Sequence, residues 1–148
     1  MENLTMGRVL VTAKMENLGD VLLTMQGKLP PDQVRTVEVT DALVDTGATS
    51  LSLPRSMIEK LGLQRFRSRR VRTSAGLVDV GVYGAVRLTV QGRDCSIDVA
   101  EVPDDCPVLI GQIPLEALDW VVDPVGGKLI GNPEHGGEHM FDQFLSEI

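Results

Sequence analysis

The stretch Ala-Leu-Val-Asp-Thr-Gly-Ala-Thr-Ser at residues 42–50 decides how the rest of this chain is interpreted. An apolar run at residues 42–44 delivers the carboxylate of Asp45 into a turn at Gly47, and the small residue Ala48 follows. Three common residues in this order occur by chance in many proteins. The triplet alone therefore favours an ordinary aspartate that caps a turn at the end of a strand, and only its surroundings can favour a functional one.

Two features downstream raise the significance of the triplet. The run Val-Leu-Ile-Gly at residues 108–111 is apolar and short, which is typical of a buried strand. Between it and Asp45 lies a tight turn, Ser74-Ala75-Gly76, with β-type sequence on both sides. This pattern predicts a hairpin with glycine at its tip.

The remainder of the chain is typical of an all-β protein. Fifteen glycines and eight prolines punctuate segments rich in Val and Leu. We predict about nine short strands and two short helices, which indicates a barrel or sandwich. The predicted helices begin near Pro54, ending at Gly62, and at Pro114. The predicted strands are residues 6–14, 21–25, 34–44, 64–73, 78–90, 95–102, 107–111, 120–122 and 128–130, with a turn at 17–20 and an amphipathic turn at 140–148.

With these features in this order, the chain resembles the retropepsin-like aspartic proteases, and most of all their small bacterial and archaeal single-domain members. The resemblance covers residues 6–131. It implies a closed acid-protease β-barrel with one or two short helices, in which the Asp loop and the apolar strand cross. It divides the chain into a protease domain at 1–131 and an acidic tail at 132–148, which is a candidate dimer contact.

The resemblance also implies roles for individual residues. Asp45 is expected to be catalytic, and the hairpin around residues 73–79 is expected to be a flap over the substrate. The rival interpretation of the hairpin is an ordinary β-turn with no role as a lid. The expected supporting residues are Thr46, Gly47 and Ala48; the expected flap and substrate-binding residues are Ser74, Ala75, Gly76, Leu77 and Val78; and the expected structural residues under the site are Leu109, Ile110 and Gly111.

The chemistry of peptide hydrolysis agrees with this assignment. Two carboxylates about 3 Å apart cannot both ionise, so they share one proton and supply both a base for water and an acid for the scissile group. The chain has a single Asp-Thr-Gly triplet, and Asp119, Asp123 and Asp142 have no such setting. The second carboxylate must then come from a second copy across a two-fold axis.

These arguments predict a homodimeric aspartic endopeptidase that acts on peptides or proteins and needs no cofactor or metal. The alternative is a non-catalytic dimeric peptide-binding module of the same fold. A third hypothesis is an assembly in which the two Asp45 residues never meet. The chain departs from the retroviral pattern at Thr49, Ser50 and Gln112, where an acidic residue and an arginine are usual, so dimer contacts and substrate recognition are expected to differ.

Charge and cysteine usage limit the other functions. A net charge of −7 argues against general binding to nucleic acid or membranes. Cys95 and Cys106 are expected to be free thiols in a cytoplasmic protein, since the N-terminus has no pattern of a signal peptide. A basic cluster is expected to be a solvated strand face, with a rim for acidic substrate segments and nucleic-acid binding as alternatives: Arg65, Arg67, Arg69, Arg70 and Arg72.

The segment His135-Gly136-Gly137-Glu138-His139 matches the H-x-x-E-H zinc-protease pattern. That pattern needs a helix to place both histidines on one face. Pro133 and the two glycines disfavour such a helix, so we expect a solvated tail here and no metal site.

Overall fold

The computed structural model describes residues 8–143. Within this range the chain forms nine strands, three short α-helices and two 3-10 turns. In chain order they are β1 (Val9–Asn17), α1 (Leu18–Met25), a 3-10 turn (Pro31–Gln33), β2 (Thr36–Val44), β3 (Leu51–Pro54), α2 (Arg55–Leu61), β4 (Gln64–Thr73), β5 (Gly76–Val90), β6 (Arg93–Val102), β7 (Leu109–Ile110), α3 (Gln112–Leu118), β8 (Trp120–Asp123), β9 (Lys128–Gly131) and a second 3-10 turn (Pro133–His135).

Six of the strands close into a ring. The order is β1-β2-β7-β3-β6-β5, and β1 also pairs antiparallel with β5, from Lys14 opposite Thr89 to Asn17 opposite Val86. Strand β4 lies outside the ring and pairs only with β5, while β8 and β9 form a separate hairpin. The prediction of an all-β acid-protease fold is therefore confirmed.

The core fills the inside of this ring with aliphatic side chains. Leu51 and Leu53 of β3, Leu88 of β5, Val99 of β6 and Ile110 of β7 are all fully buried. They belong to one continuous cluster that also reaches the helices. Because Leu51 lies opposite Val99 on one side and Ile110 on the other, β3 is the centre of this packing.

The prediction of a turn at 17–20 and a strand at 21–25 was wrong, because this segment is helix α1. Asn17 caps the helix: its side-chain oxygen accepts the backbone N–H of Asp20 at 3.0 Å. The Asp20 carboxylate then accepts the Nε–H of Arg35 at 2.8 Å and a second bond from its Nη2 at 3.0 Å. The apolar spacing of residues 21–25 fits either a strand or a helix, and the bond of Asp20 to the distant Arg35 favours the helix.

Strand β3 was not predicted as a strand. The sequence predicts that Ser52-Leu53-Pro54 opens a helix, but Leu51–Pro54 are all buried and pair with β6, and the first two of them also pair with β7. Helix α2 begins at Arg55 and ends at Leu61. Gly62 closes it as predicted, in a left-handed conformation with φ +64°. The other predicted strands and the second helix are present; β4 has the predicted bounds, and the others have shifted ends. Residues 6–7 of the first predicted strand and 144–148 of the predicted amphipathic turn lie outside the described residues.

Candidate active site

The loop after β2 is held by the strand that crosses it. The backbone N–H of Asp45 donates to the carbonyl of Ile110 at 3.0 Å, and that of Gln112 donates to the carbonyl of Ala48 at 2.8 Å. A third bond runs from the N–H of Gly111 to the carbonyl of Ser50 at 3.0 Å. The predicted crossing of the Asp loop and the apolar-apolar-Gly strand is present, and it fixes the loop from both ends.

Gly111 is required for this crossing by space and not by backbone conformation. Its φ of −89° and ψ of −169° are open to any residue. A Cβ at this position would lie 2.6 Å from the carbonyl oxygen of Ser50 and 2.7 Å from that of Ala48. Since both obstacles are backbone atoms of the Asp45 loop, any other residue would push that loop away.

The Asp45 side chain itself is exposed and lightly engaged. Within the described residues its carboxylate accepts one hydrogen bond, from the backbone N–H of Gly47 at 2.9 Å. Thr46 and Gly47 are also exposed, and Ala48 is half-buried. The Asp45 carboxylate therefore stands at the start of a turn that backbone bonds hold in place, and most of its acceptor capacity is unused within the described residues. Such a carboxylate can accept a hydrogen bond from a ligand or share a proton with a second carboxylate.

The predicted hairpin is formed by β4 and β5. Thr73 lies opposite Gly76, and its hydroxyl accepts the N–H of Ala75 at 3.1 Å and donates to the carbonyl of Gly76 at 2.9 Å. Residues 72–79 are all exposed, so the hairpin extends away from the ring. Leu77 and Val78 point to opposite faces because neighbouring residues alternate along a strand.

The basic cluster lies along β4, and one of its members reaches the Asp45 loop. Arg70 pairs with Asp79 across the hairpin, at 3.3 Å, and Arg67 stacks over Phe66. Arg69 is half-buried, and its Nη1 donates to the Ser50 hydroxyl at 3.3 Å. From the sequence we expected all five arginines on one solvated face. Side chains alternate along a strand, so Arg69 and Arg70 lie on opposite faces, and this alternation could have been noticed in the sequence.

The tail is more firmly attached than predicted. His135 Nδ1 lies 2.7 Å from Asp119 Oδ2, and its Nε2 lies 3.1 Å from Asp142 Oδ2. His139 bonds instead to the carbonyl of Ala117. The 3-10 turn ends at His135, so the H-x-x-E-H segment does not form the helix that a zinc site needs. Within residues 8–143 no cluster of three or more potential metal ligands occurs.

Two clefts among the described residues lie away from the Asp45 loop. One, of about 500 Å³, lies between β1, β2 and β5 and includes Leu10, Lys14 and Gln91. Another, of about 390 Å³, lies at the base of the β4–β5 hairpin and includes Arg65 and Glu101. Asp45 instead lies on an open surface of the single chain.

No helix within residues 8–143 is long and apolar enough to cross a membrane.

The ring of strands, the bonds between β7 and the Asp45 loop, and the β4–β5 hairpin together form the fold expected of an acid protease. In agreement, the family model described as aspartyl protease matches residues 32–113, more than half of the chain, from the approach to β2 through the start of α3. The chain belongs to this family of aspartyl proteases. No curated protein matches the chain by sequence.

Proposed function

We propose that the chain is a homodimeric aspartic endopeptidase in which one Asp45 from each subunit activates the attacking water. The observation that carries this proposal is the exposed Asp45 carboxylate on a loop fixed by backbone hydrogen bonds to residues 110–112. A general acid–base group must first lie within hydrogen-bonding distance of the proton it transfers, and only then does its pKa matter. Backbone hydrogen bonds that fix the Asp45 loop support such a position.

The open position of Asp45 supports the dimer. A single chain provides one exposed Asp45 carboxylate, and neither of the two clefts described above includes it. A two-fold axis beside Asp45 would add the second carboxylate and a facing wall. Thr46, Gly47 and Ala48 line the approach, where an exposed glycine lets the substrate backbone come close.

The proposed reaction needs no metal, cofactor or covalent intermediate. The ionised carboxylate of the pair takes a proton from water as the water attacks the peptide carbonyl. The protonated carboxylate gives its proton to the carbonyl oxygen, so a neutral tetrahedral diol forms. The carboxyl that took the proton from water then gives it to the amide nitrogen, and a diol hydroxyl returns a proton to the other carboxylate. The C–N bond breaks, the amine and the carboxylic acid leave, and the pair again shares one proton. The two hairpins would then exclude water and hold the peptide extended.

The test is peptide cleavage by the purified chain and by Asp45→Asn, which preserves shape and removes the shared proton. We expect cleavage to fall by about 10²–10⁴-fold in the variant. Cleavage by the variant at the wild-type rate would overturn the proposal. A non-catalytic binding module would instead bind peptides and cleave none in either form.

The dimer has a separate test by sedimentation across a dilution series. If two subunits build the site, specific activity falls with the dimer fraction on dilution. Activity that stays constant per subunit while the dimer dissociates would show that one chain suffices.

A further inference from the structure

The described residues place an arginine beside the Asp45 loop with no carboxylate partner. Arg69 lies on β4 opposite Val80, and its burial is greater than that of Arg67 and Arg70 on either side. Its guanidinium reaches across to Ser50, five positions after Asp45 in the same loop. The contact shows that this face of the hairpin is the one turned towards the Asp45 loop.

Although the chain is acidic, with 21 acidic and 14 basic residues, Arg69 has no carboxylate within 4 Å among residues 8–143. Arg65, Arg67 and Arg72 on the same strand also have none, but they are exposed, whereas Arg69 is half-buried. Arg35, Arg55, Arg70 and Arg87 each have a carboxylate within 4 Å. Within residues 8–143 Arg69 has only the neutral hydroxyl of Ser50. A partly desolvated cation without a counter-ion is costly, and a ligand that supplied one would be favoured.

A guanidinium has five N–H donors in a planar fork, and one contact with Ser50 leaves most of them free. This geometry matches a carboxylate, which accepts two parallel bonds. We propose that Arg69 is a specificity-determining residue that selects an acidic side chain, Glu or Asp, in the peptide substrate. This inference rests on the proposed endopeptidase function, and in the dimer it places one such cation on each side of the scissile bond.

Val71 and Val78 share the face of Arg69, because residues two apart on a strand lie on one side and Val71 is opposite Val78. The hairpin thus presents an apolar pair towards its tip and a cation towards its base. An extended peptide also alternates its side chains. We therefore expect an apolar side chain beside the pair and an acidic one beside Arg69, on the same face of the substrate.

The test compares matched peptides that differ only in Glu or Gln at the position of strongest acidic preference, found with a positional-scanning peptide library. For the wild-type chain at low salt, we expect kcat/KM to be about tenfold higher for the Glu peptide. Arg69→Gln should bring that ratio close to one and leave cleavage of the Gln peptide within about twofold of wild type.

Two variants serve as controls. Arg72→Gln removes an exposed arginine from the opposite face of the same strand, and the preference should persist. Ser50→Ala removes the contact but keeps the cation, and the preference should again persist. A wild-type ratio near one would show that there is no acidic preference and would overturn the inference. Equal loss of both peptides in Arg69→Gln would also overturn it, because Arg69 would then only position the hairpin.

A binding measurement tests this inference independently of the catalytic proposal. Fluorescence anisotropy of the same two peptides on Asp45→Asn requires no turnover, and peptides can be selected from the library by binding alone. If the wild type cleaves nothing, the endopeptidase proposal fails, while an Arg69-dependent preference for Glu would still stand. Equal binding of both peptides would reject the role of Arg69.

Discussion

The side chains of Asp45 and Asp119 differ in exposure and in hydrogen bonding. Asp45 lies in the loop whose backbone is bonded to β7, and Asp119 directly follows α3. Asp45, fixed by β7, is exposed and its carboxylate accepts one hydrogen bond from its own turn. Asp119, directly after α3, is buried and accepts bonds from His135, Asn132 and the N–H of Met140. The first is held by its backbone, and the second is held by its side chain.

The difference leaves Asp45, and not Asp119, with a carboxylate that can still accept hydrogen bonds from a ligand. Both carboxylate oxygens of Asp119 accept hydrogen bonds from the tail. The guanidinium of Arg93 donates to the backbone carbonyl of Asp119 at 2.7 Å and stacks over Trp120. Asp119 is a structural residue that attaches residues 132–140 to the end of α3. Asp45 keeps its acceptor capacity because backbone bonds already fix its position. The same kind of side chain is therefore buried and hydrogen-bonded at position 119 and exposed at position 45.

Gly111→Ala should have the largest effect, since it breaks the backbone support of Asp45. The added Cβ meets two carbonyl oxygens at 2.7 Å or less, which no side-chain rotation relieves. We expect a loss of about 3 kcal/mol in the free energy of unfolding. Activity should fall by about 10²-fold, because the carboxylate moves. Urea unfolding and peptide cleavage measure the two effects.

The control for this variant is Gly27→Ala. Gly27 has φ +73° but open space around it, so it carries only the conformational cost, about 1 kcal/mol. It lies far along the chain from the site, and cleavage should be unchanged. If Gly111→Ala behaves like Gly27→Ala in both measurements, the crossing does not support Asp45 in the way described.

Asp119→Asn should destabilise the chain by about 1–2 kcal/mol, because one amide oxygen cannot replace two carboxylate oxygens for three donors. Cleavage per folded molecule should stay close to wild type. The fluorescence of Trp120, the single tryptophan, reports the change next to the substituted residue. Asp142→Asn is the matched control: it touches the same histidine but is 62 % exposed, so its effect should stay under about 0.5 kcal/mol.

The attachment of the tail should depend on pH. Hydrogen bonds to Asp119 and then Asp142 raise the pKa of His135 above its ordinary 6.5. Burial alone would raise the pKa of Asp119, but its hydrogen bonds from His135, Met140 and Asn132 outweigh burial and lower it below 3.8. The histidine's contribution is therefore complete below pH 6.5 and is lost as the pH rises through its raised value.

The measurement is the difference in Tm between wild type and His135→Gln. It should be largest between about pH 4 and pH 6.5, where Asp119 is ionised and His135 is protonated, and it should shrink towards pH 9. A difference that is constant from pH 5 to pH 9 would show that the histidine acts only as a neutral hydrogen-bonding group.

Asp45→Asn should have the smallest effect on stability, within about 0.5 kcal/mol, despite its expected effect on cleavage. The asparagine oxygen can still accept the N–H of Gly47, and the side chain is exposed. Urea unfolding of the purified variant tests this. A loss as large as that of Asp119→Asn would contradict the description of Asp45 as a side chain that the fold does not use.

Much of the fold could be predicted because its signals are local. Alternation indicated β2 and β6, and Gly62 marked the end of α2. The failures are segments whose conformation depends on distant partners. Helix α1 depends on Arg35, and β3 depends on being enclosed between β6 and β7. Neither partner is close enough in sequence to leave a periodic pattern.

The sequence by itself determined the chemistry available: one Asp-Thr-Gly triplet, one Leu-Ile-Gly run and a glycine-tipped hairpin, in the order that indicates an acid protease. Only the tertiary structure decided how those parts are used. It showed that Gly111 is needed for space, that Asp119 is structural, and that one arginine of five reaches the Asp45 loop. The physical reason is that residue type limits which bonds a group can make, while burial and neighbours brought from far along the chain decide which of them it makes.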